Sequence, residues 1–246
     1  MPLVEGTKKK HLYNSGLGKV RWFVERFGAG ELVLKPVRML LAPLIIPTLP
    51  KKTFHFRGEE HPYLLHAYNM TWASERCVEV PIARSYVKQK GADKVLEVGN
   101  VLSHYGPVQH DILDKFEQGP RVINEDIVQF RPKKKFELVI SVSTFEHIGY
   151  DDEAEGSSAG KIQAAINACR NLLEPGGSLV ITVPIGYNPE LDGMLRSDVL
   201  ESAHEAFLKK IGKLDWRECS KDEALACKYK DPFPYANAIA VVEFRA

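Results

Sequence analysis

Cysteine is scarce and unpatterned: Cys77, Cys169, Cys219 and Cys227 form no CxxC pair and no Cys/His zinc spacing. Thiols scattered this way exclude a disulfide framework, point to a reducing compartment and leave no metal site to be read. An excess of one charge is also missing. Lys and Arg number 33 against 32 Asp and Glu, whereas a dedicated nucleic-acid binder shows a clear basic surplus, so no nucleic-acid partner is expected. No apolar run with a small-residue cleavage site follows the basic start MPLVEGTKKKHLYNSG, so no signal peptide is read and a cytoplasmic chain is expected. No GxGxxG and no Gly-rich lysine loop is present, which removes the common dinucleotide and nucleotide-hydrolase fingerprints. A membrane-spanning run is absent as well. The most apolar stretch, LVLKPVRMLLAPLIIPTLP (32–50), contains Lys35 and Arg38 and is punctuated by Pro36, Pro43, Pro47 and Pro50. A span needs about 20 largely apolar residues.

What is there is ordinary for a globular protein, with 44% hydrophobic and 26% charged residues in a length that suits one α/β domain and a modest appended segment. Two textures divide it. Residues 1–90 read as a helical cover and lid segment. Within it, region 20–50 reads either as a cover packed on the domain or as amphipathic helices in peripheral contact with a membrane surface. Over 91–246, short β-branched runs alternate with helical or loop connections, the pattern of a mostly parallel sheet with flanking helices. The candidate strands are KVLEVG (94–99), HDILDKF (110–116), RVINEDIVQF (121–130), FELVISVSTFEHI (136–148), SLVITVP (178–184) and ANAIAVVEF (236–244). Ile162, Ala165, Ile166, Cys169, Leu172 and Leu173 recur at helical spacing, with Ser157 or Ser158 as cap and Glu174-Pro175-Gly176-Gly177 as stop. A second helix is predicted over 198–211, DVLESAHEAFLKKI. The acidic run from Asp151 to Ser158 reads as a solvated loop, although it follows a strand's carboxyl end, where open α/β sheets bind ligands.

Three acidic residues stand at the ends of three successive candidate strands. Glu97 precedes the glycine turn Gly99-Asn100-Val101-Leu102-Ser103, Asp114 ends the second strand, and Asp126, with Ile127 behind it, ends the third. A turn built on Gly99 lets backbone amides approach a ligand closely. Asp114 is placed to accept hydrogen bonds from a ribose and Asp126 to meet an adenine amine, because a buried nucleoside's donors need acceptors. Each carboxylate alone would read as a surface residue.

These residues carry a family resemblance. EVGN with Ser103 behind it resembles a degenerate E/DxGxGxG loop of class I S-adenosylmethionine-dependent methyltransferases, with Val101 and Ser103 where the later glycines usually stand. Ser141-Val142-Ser143-Thr144-Phe145-Glu146-His147-Ile148 is similar to the family's fourth-strand LEHV-type motif. Leu172-Leu173-Glu174-Pro175-Gly176-Gly177-Ser178-Leu179-Val180-Ile181-Thr182 resembles its LLxPGGxLxIT element. The motifs occur in family order over 94–184. The resemblance implies a Rossmann-like fold and S-adenosyl-L-methionine as cofactor, held by Glu97, Gly99, Asn100, Ser103, Asp114, Asp126, Ile127 and Ser143. The chain departs from the pattern in its connections: that after Gly99 is short and holds Pro107, and that between Asp114 and Val122 has no room for a full helix.

The acceptor site is expected beyond the cofactor. Asn69, Trp72 and Arg76 lie in YNMTWASERCVE (68–79), which reads as a lid over a polar substrate or as a plain helix. Tyr187, in GYNPELDG, is a further substrate candidate or part of a turn. If a hydroxyl is methylated, a base assists, and His147 is the first candidate by position and intrinsic pKa. Glu146 would orient it or hold the cofactor's methionine end, and His104 is a rival base. The best reading is O-methylation of a sugar or related small polar molecule. N-methylation, a macromolecular acceptor, and a scaffold that has lost catalysis are the alternatives; a dehydrogenase is disfavoured by the absent GxGxxG.

Overall fold

The computed structural model describes residue 24 and residues 30–151 and 158–246. In chain order its elements are α1 (Glu31–Ile45), β1 (Thr53–Phe56), β2 (Glu59–Pro62), α2 (Arg76–Lys88), β3 (Val95–Val98), β4 (Asp111–Leu113), β5 (Val122–Ile123) and β6 (Phe136–Val142). There follow α3 (Ser158–Asn171), β7 (Leu173–Pro184), α4 (Pro189–Arg196), β8 (His204–Gly212), β9 (Asp215–Cys219), α5 (Lys221–Leu225) and β10 (Ala238–Arg245).

Eight strands form one sheet in the order β5-β4-β3-β6-β7-β10-β8-β9. The five from β5 to β7 are parallel, and β10, β8 and β9 join antiparallel. This is the Rossmann-like, mostly parallel architecture expected from the sequence. β3 is buried at all four positions, as a central strand covered on both faces must be. Val139 turns to one core, with Ile162, Ala165, Ile166 and Cys169 of α3 and Leu191 and Leu195 of α4. Leu138, Ile140 and Val142 turn to the other, with Cys77, Val78 and Ile82 of α2 and Phe54 and Phe56 of β1. The carboxyl ends of β3, β4 and β6 therefore meet at one edge, and the loops after them build the site.

Several sequence expectations are corrected. The 198–211 segment is not a helix: His204–Gly212 is β8, paired with β10. Its Phe207 enters one core and Leu208 the other, so burial on both faces overrides a weak helical pattern. β9 was not anticipated. The region 1–90 is not wholly helix and loop, since TFHFRGEEHP folds as the β1–β2 hairpin about an Arg57-Gly58 turn with both φ positive. The second and third strands shrink to three and two residues, so Asp114 lies one residue past β4 and Asp126 in a turn beyond β5. FELVISVSTFEHI divides into β6 and a one-turn 3-10 helix over Phe145–His147. α3 ends at Asn171, and the Glu174–Gly177 motif is a bulge within β7: Leu173 faces Phe136, while Ser178 already faces Leu138. Gly177 is required there, because a Cβ would stand 2.9 Å from the Glu174 carbonyl and 3.0 Å from that of Phe136. Of the region 20–50, residues 20–23 and 25–29 lie outside the described residues, as do residues 152–157 of the acidic run, the Ser157 cap among them. The short connection after β3 is, as anticipated, a single 3-10 turn over Leu102–Tyr105.

Candidate active site

The loop after β3 turns on Gly99, whose φ of +87° belongs to the left-handed region. A Cβ there would lie 2.9 Å from Thr144 Cγ2 and closer still to its Oγ1, so the β3 and β6 loops touch only because residue 99 is glycine. Glu97, fully buried, holds this loop in shape. Its Oε1 accepts from the backbone amides of Val101 (2.9 Å) and Leu102 (2.7 Å), and its Oε2 meets His110 Nε2 at 2.8 Å. Asp114 ties the second loop to the first: Oδ2 accepts from the Asn100 amide (3.0 Å), and Oδ1 from those of Phe116 and Glu117. Glu117 Oε2 accepts from Asn100 Nδ2 (2.8 Å) and meets His104 Nε2 at 3.0 Å.

These loops enclose a cavity of ≈ 870 Å³ over the carboxyl ends of the strands. Gly99, Asn100, Asp114, Asp126, Ile127, Ser143, His147 and Arg76, all singled out from sequence, line it, and Leu113, Phe116 and Val128 add apolar wall. Asp126 accepts from the Val128 amide through Oδ1 and pairs with Lys115 through Oδ2 at 3.0 Å. Glu97, Ser103, His104, Glu146, Asn69, Trp72 and Tyr187 are not among the lining residues. Ser103 bonds Asn100 Oδ1, His104 stacks on Tyr68 at 4.5 Å, and Asn69 is exposed on the turn Tyr68–Met70. Asn188, next to Tyr187, caps α4 and donates from Nδ2 to the Glu146 carbonyl.

His147 stands in the cavity wall. Its Nδ1 is bonded to Asp151 Oδ2, which also accepts from Tyr187 Oη at 2.7 Å. Tyr187, buried, meets the imidazole edge-on at 5.0 Å. Nε2, the other ring nitrogen, is 3.6 Å from Glu146 Oε1, and the side chain keeps 39% exposure. Desolvation pulls the imidazole pKa down, but the Glu146 and Asp151 carboxylates outweigh it and hold His147 above its ordinary value. Burial, eased by His147 and Arg76, pushes Glu146 up to about 7; its Oε2 is buried with no hydrogen-bond partner.

Arg76, at the start of α2, donates to the Val142 (2.9 Å) and Ser143 (3.3 Å) carbonyls and so fixes the end of β6. Ser143, at φ +38°, donates to the wholly buried Glu79, which burial raises to about 7 against the opposing charge of Arg76. Sequence reasoning passed over Glu79, Glu117, Thr144 and Asp151. The one available signal was Asp151, four residues after His147.

No family model and no curated protein matches the chain. Among solved structures it is similar to the N-methyltransferase NodS from Bradyrhizobium japonicum WM9 in complex with S-adenosyl-L-homocysteine. That match has 15% identity over 70% of this chain and 90% of that one, with a TM-score of 0.39. A Burkholderia thailandensis 1,6-didemethyltoxoflavin-N1-methyltransferase gives 12% identity over 70% and 79%, TM-score 0.41. A methyltransferase from Thermotoga maritima described as a possible histamine N-methyltransferase gives 9% over 66% and 86%, TM-score 0.41.

Proposed function

We propose that the chain is an S-adenosylmethionine-dependent methyltransferase that methylates a hydroxyl of a small polar molecule, a sugar or related metabolite. The carboxylate-held His147 at the cavity wall carries the reading, since a hydroxyl acceptor requires removal of a proton as its oxygen attacks.

The residues present fit the cofactor. Its nucleoside half offers hydroxyl and amine donors, and the cavity offers the carboxylates of Asp114, Glu117 and Asp126 beside the apolar Leu113, Ile127 and Phe116. Asp114 and Glu117 would take the ribose and Asp126 with Ile127 the adenine. Arg76 uses two of a guanidinium's five donors on the Val142 and Ser143 carbonyls, leaving others for the methionine carboxylate. Gly99 and Asn100 would admit the cofactor to the loop backbone, while Glu97 shapes that loop from beneath. When bound, S-adenosylmethionine supplies an electrophilic methyl group on its sulfonium.

The chain's own part is to place the acceptor and move its proton. Asp151 accepts from His147 Nδ1–H, which fixes the tautomer with a lone pair on Nε2. Tyr187 donates to the same Asp151 oxygen and walls the ring, so the imidazole cannot turn away. The acceptor's proton passes to Nε2 and is released to water as the site empties. Holding the two reactants in line contributes the remainder of the rate.

Titration calorimetry with S-adenosylmethionine and S-adenosylhomocysteine, with NADH as control, tests the cofactor. Micromolar binding of the first two alone is expected, and binding of neither overturns the reading. Screening hydroxylated acceptors then tests the chemistry: His147→Gln is expected to lose about 10²–10⁴-fold in kcat while keeping cofactor affinity. An amine acceptor turned over equally by wild type and variant would replace O-methylation with N-methylation.

A further inference from the structure

Charge is distributed unevenly along the chain. Residues 1–52 contain ten Lys and Arg against three Glu, an excess of seven positive charges. The remaining residues contain 23 against 29, an excess of six negative, so the near-neutral total hides a basic end on an acidic body. Within the basic end lies α1, whose apolar side chains are unusually open. Leu40 is 79% exposed and Leu44 72%, with Leu34, Val37 and Leu41 exposed beside them. At 100° per residue these five fall within one arc of about 120°, with no charged residue in it. Arg38 stands at the edge of the arc, Ala42 faces the body, and Lys51 and Lys52 are exposed just beyond the helix. α1 rests on the turn Tyr68–Met70, whose Tyr68 stacks on His104 beside the cavity loops.

An apolar face of this size beside concentrated positive charge fits one kind of surface. We propose that α1 docks the protein on an anionic lipid bilayer, lying in the interface with Val37, Leu40, Leu41 and Leu44 among the acyl chains. Arg38, Lys51 and Lys52 lie over acidic headgroups. α1 has 15 residues, about 22 Å of helix, and no described helix is long and apolar enough to cross a membrane, so it lies on the bilayer. A second copy of the chain is the poorer occupant, because pairing the faces brings two basic ends together.

Flotation of the full chain with vesicles tests this, comparing pure phosphatidylcholine with phosphatidylcholine containing about one quarter phosphatidylglycerol. Flotation with the anionic vesicles at about 0.1 M salt is expected, weakening about tenfold or more on neutral vesicles or at about 0.5 M salt. Leu40→Glu with Leu44→Glu is expected to remove it while the thermal midpoint is unchanged. If that variant fails to fold, Lys51→Glu with Lys52→Glu reads the electrostatic half alone and is expected to weaken anionic binding severalfold. Three results each overturn the proposal: no flotation with anionic vesicles, undiminished flotation of the folded variants, or lipid-free dimerisation by sedimentation that Leu40→Glu abolishes.

Discussion

In the proposed reaction, His147 acts as base because of what stands behind it. Removing the Asp151 carboxylate releases the imidazole and withdraws a charge that raises its pKa. A protonated His147 cannot take a proton, so activity falls as pH drops through a value above 6.5. Asp151→Asn is expected to lower kcat about tenfold or more and to move that acidic limb to lower pH, read in a pH–rate profile. An unmoved limb would assign the titration to another group. Gly99→Ala is expected to cost about 2–3 kcal/mol in chemical denaturation, since it combines a strained φ with a collision against Thr144. His147 and Gly99 were legible because each sits in a short motif whose spacing has a chemical reason. Asp151 was legible only as the head of an acidic run at a strand's carboxyl end, because a carboxylate there looks like any solvated one until the fold turns it inward. Glu79 was hidden the same way, its burial decided by Ser143 and Arg76 at 64 residues' distance and three.

Loops and strands show the same division. Parallel strands covered on both faces advertise themselves as apolar runs, and β3, β6 and β7 were readable for that reason. β8 was misread because Lys209, Lys210 and the preceding acidic residues dilute its pattern, and its strand character comes from β10, some thirty residues later. The loop after β3 illustrates how an element depends on one side chain. Glu97 satisfies two backbone amides and a buried histidine, so Glu97→Ala leaves three polar groups without an acceptor. A stability loss of about 3 kcal/mol in urea unfolding is expected, with weaker cofactor binding following from the misshapen loop. Unchanged stability would show that the loop holds itself.

For the molecule as a whole, two buried carboxylates whose burial raises their pKa, Glu79 and Glu146, set a pH dependence of stability. Glu79 and Glu146 titrate near 7 in the fold and near 4.5 when unfolded, so between those values the folded state binds more protons. Stability therefore declines as pH rises from about 4.5 to about 7. Glu146→Gln is expected to raise stability by roughly 1–3 kcal/mol at pH 8 and by nothing near pH 4, measured by thermal unfolding at the two values. The sheet's connectivity has a temporal meaning too. β10 follows β8 and β9 in the chain yet lies between β7 and β8, where it carries seven residue pairs to one neighbour and six to the other. The β8–β9 hairpin thus has nothing of the main sheet to join until its successor is made, and β7 waits with an open edge. Such a chain assembles as a wedge driven home last, and pulse-labelled hydrogen exchange during refolding is expected to find the β10 and β8 amides protected together, after those of β3 and β6.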